Sequence, residues 1–201
     1  MAKNWNSFYK KGCDLEFFIQ NITCHMELFK SIVAEKPQKI LEVGTGTGSM
    51  SVFLSFLGFD VVSLDNNPQV LRHTKGWTEE IDSKVKFVLG NAFKIPFADN
   101  SFDVVFHQGL LEHFTDEEII KLLDEQLRVG KIVILSVPNN FYPKKDLGNE
   151  RLMPQEYWQK LLEKYYKILE NKEYNPDVKT LLGGRIIYRA KNTMYLAKCT
   201  K

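Results

Sequence analysis

Three glycines at alternate positions, Gly44, Gly46 and Gly48, separate a short apolar run (Ile40, Leu41, Val43) from an apolar stripe at helical spacing (Met50, Phe53, Leu54, Leu57). That order predicts a buried strand, a tight turn and a helix. Glycine permits the left-handed backbone such a turn needs and leaves no Cβ between backbone and ligand. The helix behind it presents unpaired N–H groups and the positive end of its dipole. The turn is therefore expected to hold part of a ligand against bare backbone. A glycine turn kept only for close strand–helix packing has the same sequence.

Two details narrow the ligand. The spacing is G-x-G-x-G, with Ser49 where a dinucleotide fingerprint wants its third glycine, and no G-K-[ST] follows, so a Walker loop is excluded. An acid, Glu42, stands two residues before the first glycine. The string E-V-G-T-G-T-G closely resembles the first motif of the class I S-adenosylmethionine-dependent methyltransferases. The run S-F-D-V-V-F-H-Q-G-L-L-E-H-F (residues 101–114) resembles the same family's fourth-strand segment, which lies beside the methionine part of the cofactor and the methyl acceptor. The ending V-P-N at residues 137–139 resembles family members that act on small molecules, including those of quinone biosynthesis. The second proline of the D-P-P-Y or N-P-P-Y motif of amino-methylating nucleic-acid enzymes is missing. The resemblance covers roughly residues 38–140.

It implies an α/β fold: a doubly wound, mostly parallel seven-stranded sheet with helices on both faces, binding S-adenosyl-L-methionine. The cofactor residues it implies are Glu42, Gly44, Thr45, Gly46 and Gly48 at the turn, and Asp65 with Asn66 at the second strand's end. Asn91, Ala92 and Phe93 follow the third strand, and His107 with Gln108 the fourth. Asp65 also has an independent warrant. It lies 21 residues past Gly44, near the ~20-residue offset of a ribose-binding acid in βαβ folds, and a carboxylate accepts both ribose hydroxyl protons. An Asx turn at a strand end is the alternative for it. Asn91 stands where the family commonly has an acid; its amide oxygen can still accept from the adenine amine. Phe93 either covers the adenine face or belongs to the core.

Along the chain, Leu15, Phe18, Ile19, Ile22, Met26, Phe29 and Val33 share one face at helical spacing, so residues 14–35 are expected to form one long amphipathic helix. The aromatic, basic segment Trp5–Lys11 ahead of it is either a lid over the cofactor, as in many small methyltransferases, or a frayed terminus packed on the domain. Strands are expected at residues 40–43, 59–64, 85–89, 101–106 and 132–137, with two more near 166–173 and 194–199. Gly58 suits a helix C-cap, Asn67-Pro68 a helix start, and Thr115 with Glu118 a capping box. Asp103 is expected to cap nearby backbone. Residues 176–192 fit no single pattern.

At 201 residues the chain suits one domain, residues 1–36 forming a helical lid and 141–201 the substrate side. It has no run of about 18 apolar residues for a membrane span. The opening M-A-K-N-W-N-S-F-Y-K lacks a signal peptide's apolar core, so a cytoplasmic setting is expected. Cys13, Cys24 and Cys199 form no C-x-x-C pair and read as reduced thiols; no metal site is expected. A net charge of +2 argues against broad nucleic-acid affinity. Lysine and arginine number 14 against 18 acids in residues 1–140 but 13 against 7 in residues 141–201, which suggests either solvated helix faces or an anionic acceptor.

Methyl transfer from a sulfonium chiefly needs the acceptor aligned, plus a base where it is a hydroxyl or a protonated amine. The catalytic candidates are His113 and His107, with Glu112 behind them; His25 and His73 read as solvent-facing. A small-molecule acceptor is favoured because no large insertion is present to grip a macromolecule. Two other readings stay open: a protein that binds the cofactor without transfer, and a nicotinamide dehydrogenase. Against the latter stand Ser49 and the lack of a Tyr-x-x-x-Lys pair.

Overall fold

The computed structural model describes residues 13–143, 149–181 and 185–201; in the last hairpin, side chains are described through Tyr174 and from Asn192. Seven strands form one sheet: β1 (Lys39–Val43), β2 (Asp60–Asp65), β3 (Lys86–Leu89), β4 (Phe102–Gln108), β5 (Gly130–Pro138), β6 (Lys167–Leu181) and β7 (Arg185–Thr200). Their order is β3-β2-β1-β4-β5-β7-β6; only β7 runs antiparallel to its neighbours. The order reverses between β1 and β4, where open α/β sheets bind ligands beyond the strands' carboxyl ends.

Period-2 alternation splits each strand between two cores. Leu41, Val105, Val133 and Leu135 face one cluster, with Ile119, Leu122 and Leu127 of α5 (Asp116–Val129) and Trp158 and Leu162 of α6 (Gln155–Glu163). Ile40, Val104, Phe106 and Ile134 face the other, with Ile22 of α1 (Leu15–Cys24), Leu28, Phe29 and Ile32 of α2 (Met26–Ala34) and Met50 and Leu54 of α3 (Ser49–Phe56). The remaining helix, α4 (Pro68–Glu80), starts where Asn67 accepts from the amides of Gln69 and Val70. Thr115 and Glu118 form the reciprocal capping box of α5, and Gly130 ends that helix. Gly58 follows α3 with φ +94°. Asp103 accepts from the amides of Gln38 and Lys39 and pairs with Lys131, so its role is structural, and those bonds hold its carboxyl down at about 2.

The single helix over residues 14–35 is two. The chain breaks at His25 (φ −108°, ψ 22°), whose Nδ1 lies 2.7 Å from the Tyr174 hydroxyl, itself 2.6 Å from Ser136 Oγ. His25 is therefore buried rather than solvent-facing, and burial pushes its pKa down to about 4. Leu15 and Ile19 stay exposed, because the core takes Ile22 and then the α2 face of Leu28, Phe29 and Ile32. His73 is exposed, as read from the sequence. Of the unassigned stretch, residues 176–181 belong to β6 and 185–192 to β7. Residues 1–12, with the Trp5–Lys11 segment, and Gly183-Gly184 lie outside the described residues.

The loop from β3 to β4 is fixed by Arg128. Its guanidinium donates to the carbonyls of Ile95 and Phe97 and to the carboxylates of Glu125 and Asp99; Glu125 also accepts from the Ile95 amide. Arg128→Ala is expected to cost about 1–3 kcal/mol, the range for lost charge-assisted hydrogen bonds. Arg128→Lys should recover little, since an ammonium cannot fork among four acceptors. A melting temperature unchanged in both variants would show that the loop needs no such brace.

Candidate functional site

Two adjoining cavities open at the carboxyl end of the sheet, of about 270 and 300 Å³. Gly44, Gly46, Gln108, Gly109 and His113 line both. The larger is otherwise walled by the loops after β2 and β3, with Asp65, Asn66, Asn91, Ala92 and Phe93. The smaller adds Phe17 and Asn21 of α1 and His25 after it, together with Glu112, Tyr142 and Glu150.

The glycine turn is built as its spacing predicted: Gly44, Gly46 and Gly48 have φ of +85°, +52° and +74°. The amides of Gly44 and Thr45 are committed to the Leu64 carbonyl, and that of Gly48 to the Thr45 carbonyl. Helix α4 clamps the turn from outside. Thr74 Oγ1 donates to the Gly46 carbonyl at 2.9 Å, and Trp77 Nε1 to the Thr47 carbonyl at 3.0 Å. Sequence reading missed this pair; its only signal was two donors at i, i+3 on one helix.

Beneath the turn, the Glu42 carboxylate accepts from Ser51 Oγ at 2.5 Å and Ser63 Oγ at 2.8 Å; Ser63 Oγ is also 2.8 Å from Thr45 Oγ1. Burial raises the Glu42 pKa to about 7, against the pull of the two serines. Glu42 thus ties β1, β2 and α3 together at the cavity floor. Asp65 accepts from the Asn67 amide at 2.8 Å and from the Gly46 amide at 3.5 Å. Burial still raises its pKa, with those amides pulling it back down. The Asx turn is present, and Asp65 also lines the larger cavity. Asn91 Oδ1 caps the Phe93 amide at 2.8 Å. Phe93, 38% exposed, stands edge-on to Phe114 and is no core residue.

Two sequence-derived cofactor candidates lie off the cavity walls. Gly48 is a packing glycine: a Cβ there would sit 2.4 Å from Thr74 Cγ2. His107 is wholly buried and lines neither cavity. Its neighbour Gln108 takes the ligand side, and strand alternation turns His107 away. Neither ring nitrogen has a hydrogen-bond partner among the described residues, and burial pushes the pKa down to about 3. His107 is therefore corrected from a catalytic or cofactor candidate to a buried strand residue.

His113 fares differently. It lines both cavities, and its Nδ1 lies 3.0 Å from Asn149 Oδ1. A carbonyl oxygen there makes Nδ1 the donor, and Nε2 lies 3.9 Å from Glu112 Oε1. Desolvation lowers its pKa, against the Asn149 contact and the Glu150 charge. Among the described lining residues of the smaller cavity there is no lysine or arginine. Three basic side chains of the last third are spent elsewhere: Lys172 and Lys198 pair with Glu27, Glu35 and Glu170, and Arg151 with Asp116.

These residues fit the sulfonium nucleoside implied by the sequence. The larger cavity offers an acid at a strand end and an aromatic edge; the two cavities meet at bare glycine backbone. A methyltransferase-domain family model matches residues 40–131. A demethylmenaquinone methyltransferase of Renibacterium salmoninarum is 36% identical over 121 residues, 58% of this chain and 48% of the relative. A norajmaline N-methyltransferase of Rauvolfia serpentina is 30% identical over 51% of this chain and 37% of the relative. The chain spans about half the length of the first curated relatives it matches. In fold it superposes on the crystal structure of a SAM-dependent methyltransferase from Aquifex aeolicus with a TM-score of 0.69, at 17% identity and 98% coverage of both chains.

Proposed function

We propose that this chain belongs to the class I S-adenosylmethionine-dependent methyltransferases, whose domain model matches residues 40–131, and that it transfers a methyl group from S-adenosylmethionine to a small molecule held under α1. One observation carries the reading: the two cavities share Gly44, Gly46, Gln108, Gly109 and His113, so ligands in each would meet over the same glycines. The methyltransferase-domain match also weighs against the nicotinamide alternative.

In this reading Asp65 would accept the ribose hydroxyls, with Asn66 beside it. Asn91, Ala92 and Phe93 would border the adenine, and the Gly44–Gly46 backbone with Thr45 and Gln108 would line the path of the amino-acid tail. When bound, the sulfonium supplies an electrophilic methyl group, so the protein's own work is orientation, exclusion of water and a place for a proton. His113 Nε2 is the base offered to both cavities. Phe17, Asn21 and His25, at i, i+4 and i+8, would form the wall closing over the acceptor, the role expected of a lid. The walls do not favour an anionic acceptor, since the acceptor side presents carboxylates. A small-molecule acceptor agrees with the names of the relatives, which describe quinone and alkaloid methylation.

The test is thermal shift and calorimetry with S-adenosylhomocysteine and NADH side by side. Selective stabilisation by S-adenosylhomocysteine, with methyl transfer in an acceptor screen, is the expected result. Stabilisation without transfer to any acceptor would make the chain a binding protein, and a response to NADH alone would end the reading.

A further inference from the structure

Glu112 lies in the short 3₁₀ turn Leu111–His113 after β4, only 3% exposed, and lines the smaller cavity alone. Its carboxyl has room because Gly109, at φ +67°, carries no side chain: a Cβ there would come within 3.3 Å of Glu112 Oε1. Glu112 Oε1 is 3.9 Å from His113 Nε2, and Oε2 has no hydrogen-bond partner among the described residues. A buried carboxyl oxygen without a donor is costly, and one that lines a cavity is placed to take a donor from a ligand bound there. Glu150, 5% exposed, lines the same wall. Phe17 and Tyr142 add aromatic rings to the lining of the same cavity.

Resting on the proposed methyl transfer, we propose that the acceptor is a basic amine, received as its ammonium ion by the Glu112 carboxylate. A cation matches each feature of this wall: two buried carboxyls, aromatic faces and no described lysine or arginine. An anionic carboxylate or phenolate would meet like charge. Burial, reinforced by the Glu150 charge, raises the Glu112 pKa to about 8, and an ammonium ion bound beside this carboxyl lowers it again, its proton leaving to water. The ammonium then yields its proton to Glu112 Oε2. Its freed lone pair forms the N–CH3 bond as the C–S bond breaks with its electron pair on sulfur. The positive charge ends on the methylated nitrogen, and Glu112 returns its proton to water.

Calorimetry on the whole chain saturated with S-adenosylhomocysteine tests this with benzylamine, benzyl alcohol and benzoate, which share one ring. Benzylamine should bind at least about tenfold more tightly than the other two. Glu112→Gln should remove about tenfold of its affinity while leaving affinity for S-adenosylhomocysteine within about twofold. Glu150→Gln should weaken benzylamine less. The inference is overturned by equal binding of the three probes, by no binding of benzylamine, or by a Glu112→Gln variant that binds it as wild type does. It is also overturned if Glu112→Gln loses S-adenosylhomocysteine affinity, since the carboxylate would then serve the nucleoside's own ammonium. Failure of the wild type to bind S-adenosylhomocysteine would instead remove the proposed function itself.

Discussion

Gly48→Ala is expected to lower stability by on the order of 3 kcal/mol and with it the affinity for S-adenosylhomocysteine. Two costs add. The residue sits at φ +74° as N-cap of α3, and a left-handed conformation costs a non-glycine residue about 1–2 kcal/mol. The new methyl would also come 2.4 Å from Thr74 Cγ2, and overpacking of this kind costs about 1–3 kcal/mol. Thr74 cannot simply turn aside: it is 2% exposed, and its hydroxyl is bonded to the Gly46 carbonyl. The strain therefore passes into the turn that bounds both cavities. For a chain of this size the drop in melting temperature should be roughly 6–12 °C. Adding Thr74→Ser removes Cγ2 but keeps the hydroxyl, so the double variant should regain the steric part and not the conformational part. A Gly48→Ala protein that melts like wild type would mean the turn is not packed as described.

What was legible in the sequence was written in local chemistry. Three glycines at alternate positions can hardly serve anything but a turn of positive φ, and Asn67-Pro68, Thr115 with Glu118, and Asp103 each act on backbone close by or across one strand pair. What was not legible depends on partners far along the chain. The break at His25 is imposed by Tyr174, 149 residues away, and nothing in the apolar periodicity of residues 14–35 announces it. Phe17, Asn21 and His25 line the cavity at i, i+4 and i+8, a face masked in the sequence by the stronger stripe of Leu15, Ile19 and Ile22. His107 and Gln108 are neighbours with opposite fates, decided by which sheet face becomes the crevice. Glu112 read as support for a histidine because its inward turn depends on Gly109. Residues 176–181 and 185–192 pair as β6 and β7 with shifts in register, a partnership between segments that neither one announces alone.

Asp65→Ala should weaken S-adenosylhomocysteine binding by roughly 10–150-fold, the equivalent of about 1.5–3 kcal/mol for a lost hydrogen bond to a charged group. The carboxylate has two duties, and the choice of variant separates them. As an Asx acceptor it fixes the start of α4 through the Asn67 amide and steadies the glycine turn through Gly46. As a cavity-wall anion it would take both ribose hydroxyl protons. Asp65→Asn keeps one oxygen for the Asn67 amide but gives the ribose an NH2 in place of the second acceptor. It should therefore melt near wild type yet bind well below it, while Asp65→Ala loses on both counts. Because burial already raises the pKa of this acid, removing the charge relieves some desolvation, which limits the stability cost and leaves binding as the sensitive readout. Calorimetric affinities for the three proteins decide the matter. Wild-type affinity in Asp65→Asn would leave the carboxylate only its structural duty and move the sugar contact elsewhere on the cavity wall.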